Sequence, residues 1–327
     1  MNNSVSRIAI VRLSALGDIV NTAVVLQIIH LYYPEAIVHW YVEEAFAPIL
    51  KDHPLIDTII PIPLKKIKKQ KNLSLLRTTI QSLRITQPYD QIIDAQGLLK
   101  SAIVASLLPG PVHGFDRNSA REGFASWLYQ TTSVLPYEMN IIKRNVMVIT
   151  QALDIPYSDT LIEKKSPVFS VVTLPQKEHK IALVIGASWP SKCYPKEHFA
   201  VLCDLLPFPC HLIWGSEAEY QDALWIAQHC SNAILTTKMS LTQLVSFIAH
   251  CDLTIGNDTG PTHIAWAMNR PSITLFGPTT ERMIYPTPMN IGIKSPSQVD
   301  IYRINRNDFS IKQIEPQHIA DQAIKLL

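Results

Sequence analysis

Short β-branched runs alternate with longer helical stretches twice along this chain, and the two series are separated by one break. Parallel strands demand that alternation, because neighbours running the same way are joined only by a crossover of a dozen or more residues. The first series predicts strands at IAIVRL (8–13), IVHWYV (37–42), TIIPI (58–62), QIIDA (91–95) and VHGF (112–115). Helices are expected over 18–32, 44–51, 72–86, 97–107, 119–131 and 140–153. The pattern falters across 154–180, a polar stretch with three prolines, which reads as the connection between domains. It restarts with strands at 181–186, 211–215, 233–237, 253–257 and 272–277 and helices at 196–206, 217–230, 240–250 and 260–269. Ser240, with Gln243 three residues on, is a capping box, and Pro271 stops the helix before it. The expectation is an α/β chain of two doubly wound parallel-sheet domains, residues 1–160 and 170–327. A terminal helix (311–327) could pack back on either domain, including across to the N-terminal one. Ligands of such sheets bind outside the carboxyl ends of the strands, here in a central cleft that the two halves face.

Composition narrows the function classes. Of the 327 residues 47% are hydrophobic and only 17% charged, which suits large interiors and argues against disorder. A net charge of +2 gives no general footprint for nucleic acid, so any electropositive surface must be local. The five cysteines, at 193, 203, 210, 230 and 251, include no C-x-x-C pair and sit among apolar residues. They read as buried free thiols in a reducing compartment and not as a zinc site or a disulfide frame. Arg12 and Asp18 interrupt the apolar stretch near the N-terminus, against a signal peptide, and no uncharged apolar run reaches the roughly 18 residues of a membrane span. A cytoplasmic protein is expected.

The strand-to-helix turns carry the chemistry. Neither G-x-G-x-x-G after the first strand nor a G-x-x-x-x-G-K-[ST] loop is present, which disfavours a dehydrogenase and a P-loop phosphotransferase. The turn GNDTGPTHIAWAM (256–268) places Asp258, Thr259 and Gly260 where a helix begins, with His263 one turn on. The first N–H groups of such a helix are unpaired and favour an anion, Pro261 fits the first turn, and Gly260 allows close approach. The alternative is that Asp258 or Thr259 merely caps the helix. In RLSALGD, Asp18 precedes an apolar helix, as an N-cap or as a general base for an acceptor hydroxyl. In GASWPSKCYP (186–195), Ser188 can donate to a phosphate oxygen and Lys192 can place a charge on it. Glu219 in WGSEAEY (214–220) suits the helix dipole or a ribose hydroxyl. LKKIKKQK (64–71) holds five lysines in seven residues, Lys65, Lys66, Lys68 and Lys69 among them. This run is a solvated face or a docking site for an acidic substrate or anionic lipid surface. Arg117 and Arg121 occupy a further turn, and Arg121 is suited to clamp an acceptor's carboxylate or phosphate.

Taken in order, RLSALGD, DAQGLLKSA (94–102), HGFDRNSARE (113–122), the Lys192 loop, KMSL (238–241), GNDTGPTHIAWAM and LFGPT (275–279) resemble the bacterial ADP-heptose:lipopolysaccharide heptosyltransferases. The likeness is greatest to members that add the first heptose to Kdo-lipid A. The matches span roughly residues 8 to 280, and the ordered set is what makes them specific. The resemblance implies a GT-B fold of two Rossmann-like domains and an inverting transfer needing neither metal nor cofactor, at the cytoplasmic face of the inner membrane. It implies Asp18 as catalytic base, and Ser188, Lys192, Asp258, Thr259, Gly260 and His263 at the donor's diphosphate and sugar. Glu219 would hold the ribose and Met239 lie against the adenine, with Lys65, Lys66, Lys68, Lys69 and Arg121 binding the acceptor. One departure stands out: the family has two adjacent hydroxyl residues before the lysine, where this chain has Ala187 and Ser188. Two other activities share these features: a later heptosyltransferase of the core, and a non-catalytic nucleotide-sugar-binding protein.

Overall fold

The computed structural model describes residues 5–171 and 178–327. Residues 172–177, part of the expected connection, and residues 1–4 lie outside the described residues. The chain divides into two compact units, Met1–Ser170 and Val171–Leu327.

In the first unit the strands are β1 (Arg7–Val11), β2 (Ile37–Glu43), β3 (Thr58–Ile62), β4 (Gln91–Asp94), β5 (Val112–Phe115) and β6 (Thr131–Ser133). They form one sheet of order β3-β2-β1-β4-β5-β6, parallel throughout. The helices are α1 (Leu16–Ala23), α2 (Val25–Tyr32), α3 (Leu64–Gln70), α4 (Leu73–Arg84), α5 (Leu99–Ser106), α6 (Ile141–Ala152) and α7 (Thr160–Glu163). Central strands such as β1 and β4 are apolar on consecutive residues because both sheet faces are covered. Ala9, Val11, Ile92, Val104 and Val112 meet in one such core.

The second unit repeats the plan with β7 (Ile181–Val184), β8 (Cys210–Ile213), β9 (Ala233–Leu235), β10 (Leu253–Asn257), β11 (Ser272–Phe276) and β12 (Asn290–Lys294). Its parallel order, β12-β11-β10-β7-β8-β9, is the first unit's order read from the other edge. The helices are α8 (Lys196–Leu205), α9 (Glu217–His229), α10 (Leu241–Ala249), α11 (Gly260–Ala267) and α12 (Pro316–Leu326). The terminal helix α12 packs on α8, and its Ile319, Ala320 and Ala323 join the core of Leu183, Phe199 and Leu275. In each unit the strand order reverses beside the first strand, between β1 and β4 and between β7 and β10. Turns at those carboxyl ends are where a sheet of this kind holds a ligand.

Four expectations need correction. The helix expected over 18–32 is two helices meeting at Val24, and Thr22 Oγ1 donates to the Asp18 carbonyl at 2.7 Å, a back-bond of the kind that bends helices. The stretch 44–51 holds only a 3₁₀ turn at Ala47–Ile49, since Pro48 lacks the donor an α-helix needs there. The stretch 119–131 is a 3₁₀ segment, Gly123–Leu128, leading into β6, not an α-helix. The sixth strand of each sheet, β6 and β12, and the helices α3 and α7 were not expected. No helix among the described residues is long and apolar enough to cross a membrane.

Candidate active site

In the second unit, Asn257 ends β10 and ties it to the turn after β7. Its Nδ2 donates to the carbonyls of Ile185 at 2.9 Å and Gly186 at 3.3 Å, and its Oδ1 accepts the Tyr194 N–H at 2.9 Å. The next residue, Asp258, points into that junction. Lys192 Nζ donates to Asp258 Oδ2 at 2.7 Å, and His263 Nε2 lies 3.2 Å from Asp258 Oδ1. All three side chains are buried. Burial alone would push the Asp258 carboxyl up; the Lys192 charge and the His263 contact outweigh it and leave the group well below the usual carboxylate range. Lys192 is therefore no solvated loop lysine, and Asp258 is no simple helix cap.

Thr259 is the residue before α11, in extended conformation, and its side chain makes no capping bond. Gly260 and Pro261 open the helix, and Thr262 Oγ1 returns to the Asn257 carbonyl at 2.8 Å. The helix start is thus braced by Thr262 while the hydroxyl of Thr259 is left unspent on it. The positive end of the helix dipole and the Lys192 ammonium converge on one turn, which suits an anion. Ser188, exposed, lies on the adjoining loop.

Glu219 occupies the third position of α9 in a capping box with Ser216, and its Oε2 accepts the N–H groups of Gly215 at 2.7 Å and Ser216 at 3.1 Å. Its Oε1 faces Gly186 so closely that a Cβ there would come within 2.1 Å. The capping role is therefore real, and it holds the carboxylate against the turn that carries Ser188. Met239 is half-buried on the loop between β9 and the Ser240–Gln243 capping box of α10.

In the first unit, Asp18 sits in the first turn of α1, its side chain 27% exposed. One oxygen accepts the Ala15 N–H at 3.1 Å, and the other pairs with Arg12 Nη2 at 3.0 Å. Arg12 is buried and also donates to the Ala95 carbonyl. Around the same strand ends, Gln96 accepts from Leu13 N at 2.8 Å, and Lys100 Nζ donates to Ser14 Oγ at 2.7 Å. Buried Asp94 organises this β4–α5 turn by accepting from Tyr129, Ser101, Gln96 and Gly97. Burial raises its carboxyl above the usual range, and those four donors oppose the shift without cancelling it. Arg12, Gln96, Lys100, Asn257 and Asp94 were not singled out from sequence. The signal for Arg12 was its charge within an otherwise apolar stretch, just past the end of β1.

Lys65, Lys66, Lys68 and Lys69 lie exposed on α3, with Lys65 Nζ 4.8 Å from the Phe46 ring centroid. Arg121 is exposed just before the 3₁₀ segment. The structure thus groups Lys192, Asp258, Thr259, Gly260 and His263 tightly and puts Ser188 and Glu219 on turns beside them. Asp18, the lysines and Arg121 belong to the other unit. Among the described residues, no group of three or more His, Cys, Asp or Glu side chains could hold a metal ion.

Two doubly wound sheets of this order, each with polar residues at its strand-to-helix turns, are the architecture of a GT-B glycosyltransferase. The E. coli heptosyltransferase WaaC with ADP matches it at a TM-score of 0.83 over 98% of this chain and 100% of that one, at 24% identity. The model of glycosyltransferase family 9 (heptosyltransferase) matches residues 76–300. Lipopolysaccharide heptosyltransferase 1 of Campylobacter coli is 37% identical over 96% of both chains, and that of Pseudomonas aeruginosa 30% identical over 84% of this chain and 79% of its own. The chain belongs to glycosyltransferase family 9, the heptosyltransferases.

Proposed function

We propose that this enzyme moves heptose from ADP-heptose to a Kdo residue of Kdo-lipid A, with inversion, in building the lipopolysaccharide inner core. The observation that carries the reading is the α11 turn, where buried Lys192 is held 2.7 Å from Asp258 beside a helix start whose Thr259 does not cap it. A leaving diphosphate gains negative charge as the bond from the anomeric carbon to its oxygen breaks. Lys192, the first amides of α11 and Ser188 supply the stabilisation, without a metal ion. Glu219 receives the ribose and Met239 lines the adenine.

Asp18 takes the proton of the attacking Kdo hydroxyl, whose oxygen forms the new bond to the anomeric carbon opposite the departing ADP. Arg12 holds that carboxylate in one orientation. Arg121 and the α3 lysines bind the anionic groups of the acceptor, and the N-terminal unit is the acceptor side. The same lysines favour an anionic bilayer, so the enzyme works as a peripheral protein on the cytoplasmic face of the inner membrane. Phe124 and Trp127, 61% and 69% exposed with ring centroids 5.0 Å apart, add the aromatic character of an interfacial contact.

The test is incubation of the purified enzyme with ADP-heptose and either Kdo-lipid A or an already heptosylated core, followed by mass analysis. One heptose added to Kdo-lipid A, with EDTA present, is expected. Transfer only to the heptosylated core would identify a later core enzyme, and donor binding without transfer would leave a binding protein.

A further inference from the structure

The donor turn is poor in free positive charge. Lys192 is already paired with Asp258, and Glu219 brings a second carboxylate against the same turn through Gly186. Those three groups sum to a net negative charge. The α11 dipole offsets about half an elementary charge, far less than a nucleoside diphosphate carries. A further cation at that turn would strengthen its hold on such a ligand beyond what Lys192 and the first amides of α11 give.

Arg306 is placed to be that cation. Trp189, three residues before Lys192, carries two cations against one indole: Lys192 Nζ lies 5.1 Å and the Arg306 guanidinium carbon 5.0 Å from the ring centroid. Arg306 is exposed, on the segment between β12 and the 3₁₀ turn Ser310–Gln313, which itself packs on Pro190–Lys192. That segment is fixed by Asp308, which accepts from Ser297 Oγ at 2.6 Å and Ser310 N at 2.9 Å. An arginine stacked on an aromatic ring gives up little freedom when it then forks onto a phosphate. The same turn also holds two buried donor atoms without a hydrogen-bond partner among the described residues, Trp189 Nε1 and Ser191 Oγ. Ser191 is wholly buried. Leaving such donors unmet is costly.

We infer that Arg306 is a further donor-binding residue, a second cation that Trp189 presents to the diphosphate of the nucleotide sugar. The inference rests on the proposed donor site. It also offers a replacement for the phosphate contact that Ala187, lacking a hydroxyl, cannot make.

Calorimetric titration of wild type, Arg306→Gln and Arg306→Lys with ADP and with adenosine tests it, thermal melting confirming that the exposed substitutions leave the fold intact. Arg306→Gln should weaken ADP about 10- to 100-fold and leave adenosine within about twofold, while Arg306→Lys recovers part of the loss. A wild-type affinity for ADP in Arg306→Gln overturns the inference. So does an equal loss for ADP and adenosine, which would mean that Arg306 only props Trp189. Failure of the wild type itself to bind ADP would instead overturn the donor site beneath it.

Discussion

Asp258 accepts a lysine at 2.7 Å and a histidine at 3.2 Å with almost no access to water. Removing its charge strands a buried ammonium, so Asp258→Asn should cost about 3–5 kcal/mol of stability, read by denaturant unfolding. Its depressed carboxyl also sets a sign for pH. The unfolded chain binds that proton more tightly than the folded one. The pair's contribution is therefore fully present above the ordinary carboxylate value of about 4 and is lost as pH falls below it. Between about pH 7 and pH 3 the wild type should lose more stability than Asp258→Asn; parallel curves would deny the pair that role. For Asp18, replacement by Asn should leave ADP affinity nearly unchanged while transfer drops by a factor on the order of 10² to 10⁴, and near-normal turnover would remove it as the base. Sequence alone left Asp18 and Asp258 divided between capping and chemistry. The structure shows that each has a second partner, Arg12 six residues back and Lys192 in the neighbouring loop. The Lys192–Asp258 pairing has no local pattern, because it depends on the ends of β7 and β10 lying side by side, and the Arg12–Asp18 pairing depends on how the β1–α1 turn folds back on itself.

At the scale of elements, the α11 start depends on β10 lying tight against β7. A Cβ at Gly256 would meet the Val184 Cβ at 2.5 Å and its carbonyl oxygen at 2.7 Å. Gly256→Ala should therefore cost about 1–3 kcal/mol, seen as a lowered melting temperature, and weaken ADP binding by shifting Asn257 and Asp258. The α3 helix makes a different prediction. Changing Lys65, Lys66, Lys68 and Lys69 together to Gln should raise the KM for acceptor several-fold, with the wild type the more salt-sensitive of the two; an unchanged KM would make them a solvated face. Long periodic elements were legible from their patterning. The edges were not: β6 has three residues and β12 only two apolar ones, Ile291 and Ile293 on either side of Gly292, too short a pattern to register. The region 119–131 was misread because Phe124, Ala125, Trp127 and Leu128 are spaced as on a helix. Gly123 and the Glu122 carboxylate, committed to Leu99 N at 2.7 Å, favour a tighter turn.

For the whole molecule, the same strand order occurs twice, and each copy places its polar residues at the carboxyl ends of its strands. The first unit offers a carboxylate braced by an arginine, and the second a lysine–aspartate–histidine group at a helix start. That division suits a two-substrate transfer, one copy activating a nucleophile and the other receiving a leaving group. The doubling was legible because the alternation of strands and helices stops once and resumes. The chemistry was legible only as an ordered series of turns, since no single turn outweighed its ordinary structural role. The most direct measurement is a crystal structure of the enzyme with ADP. The account predicts the diphosphate against the Gly260 amide and Lys192, with the ribose at Glu219 and the adenine at Met239. Nucleotide bound away from Thr259 and Lys192 would contradict it.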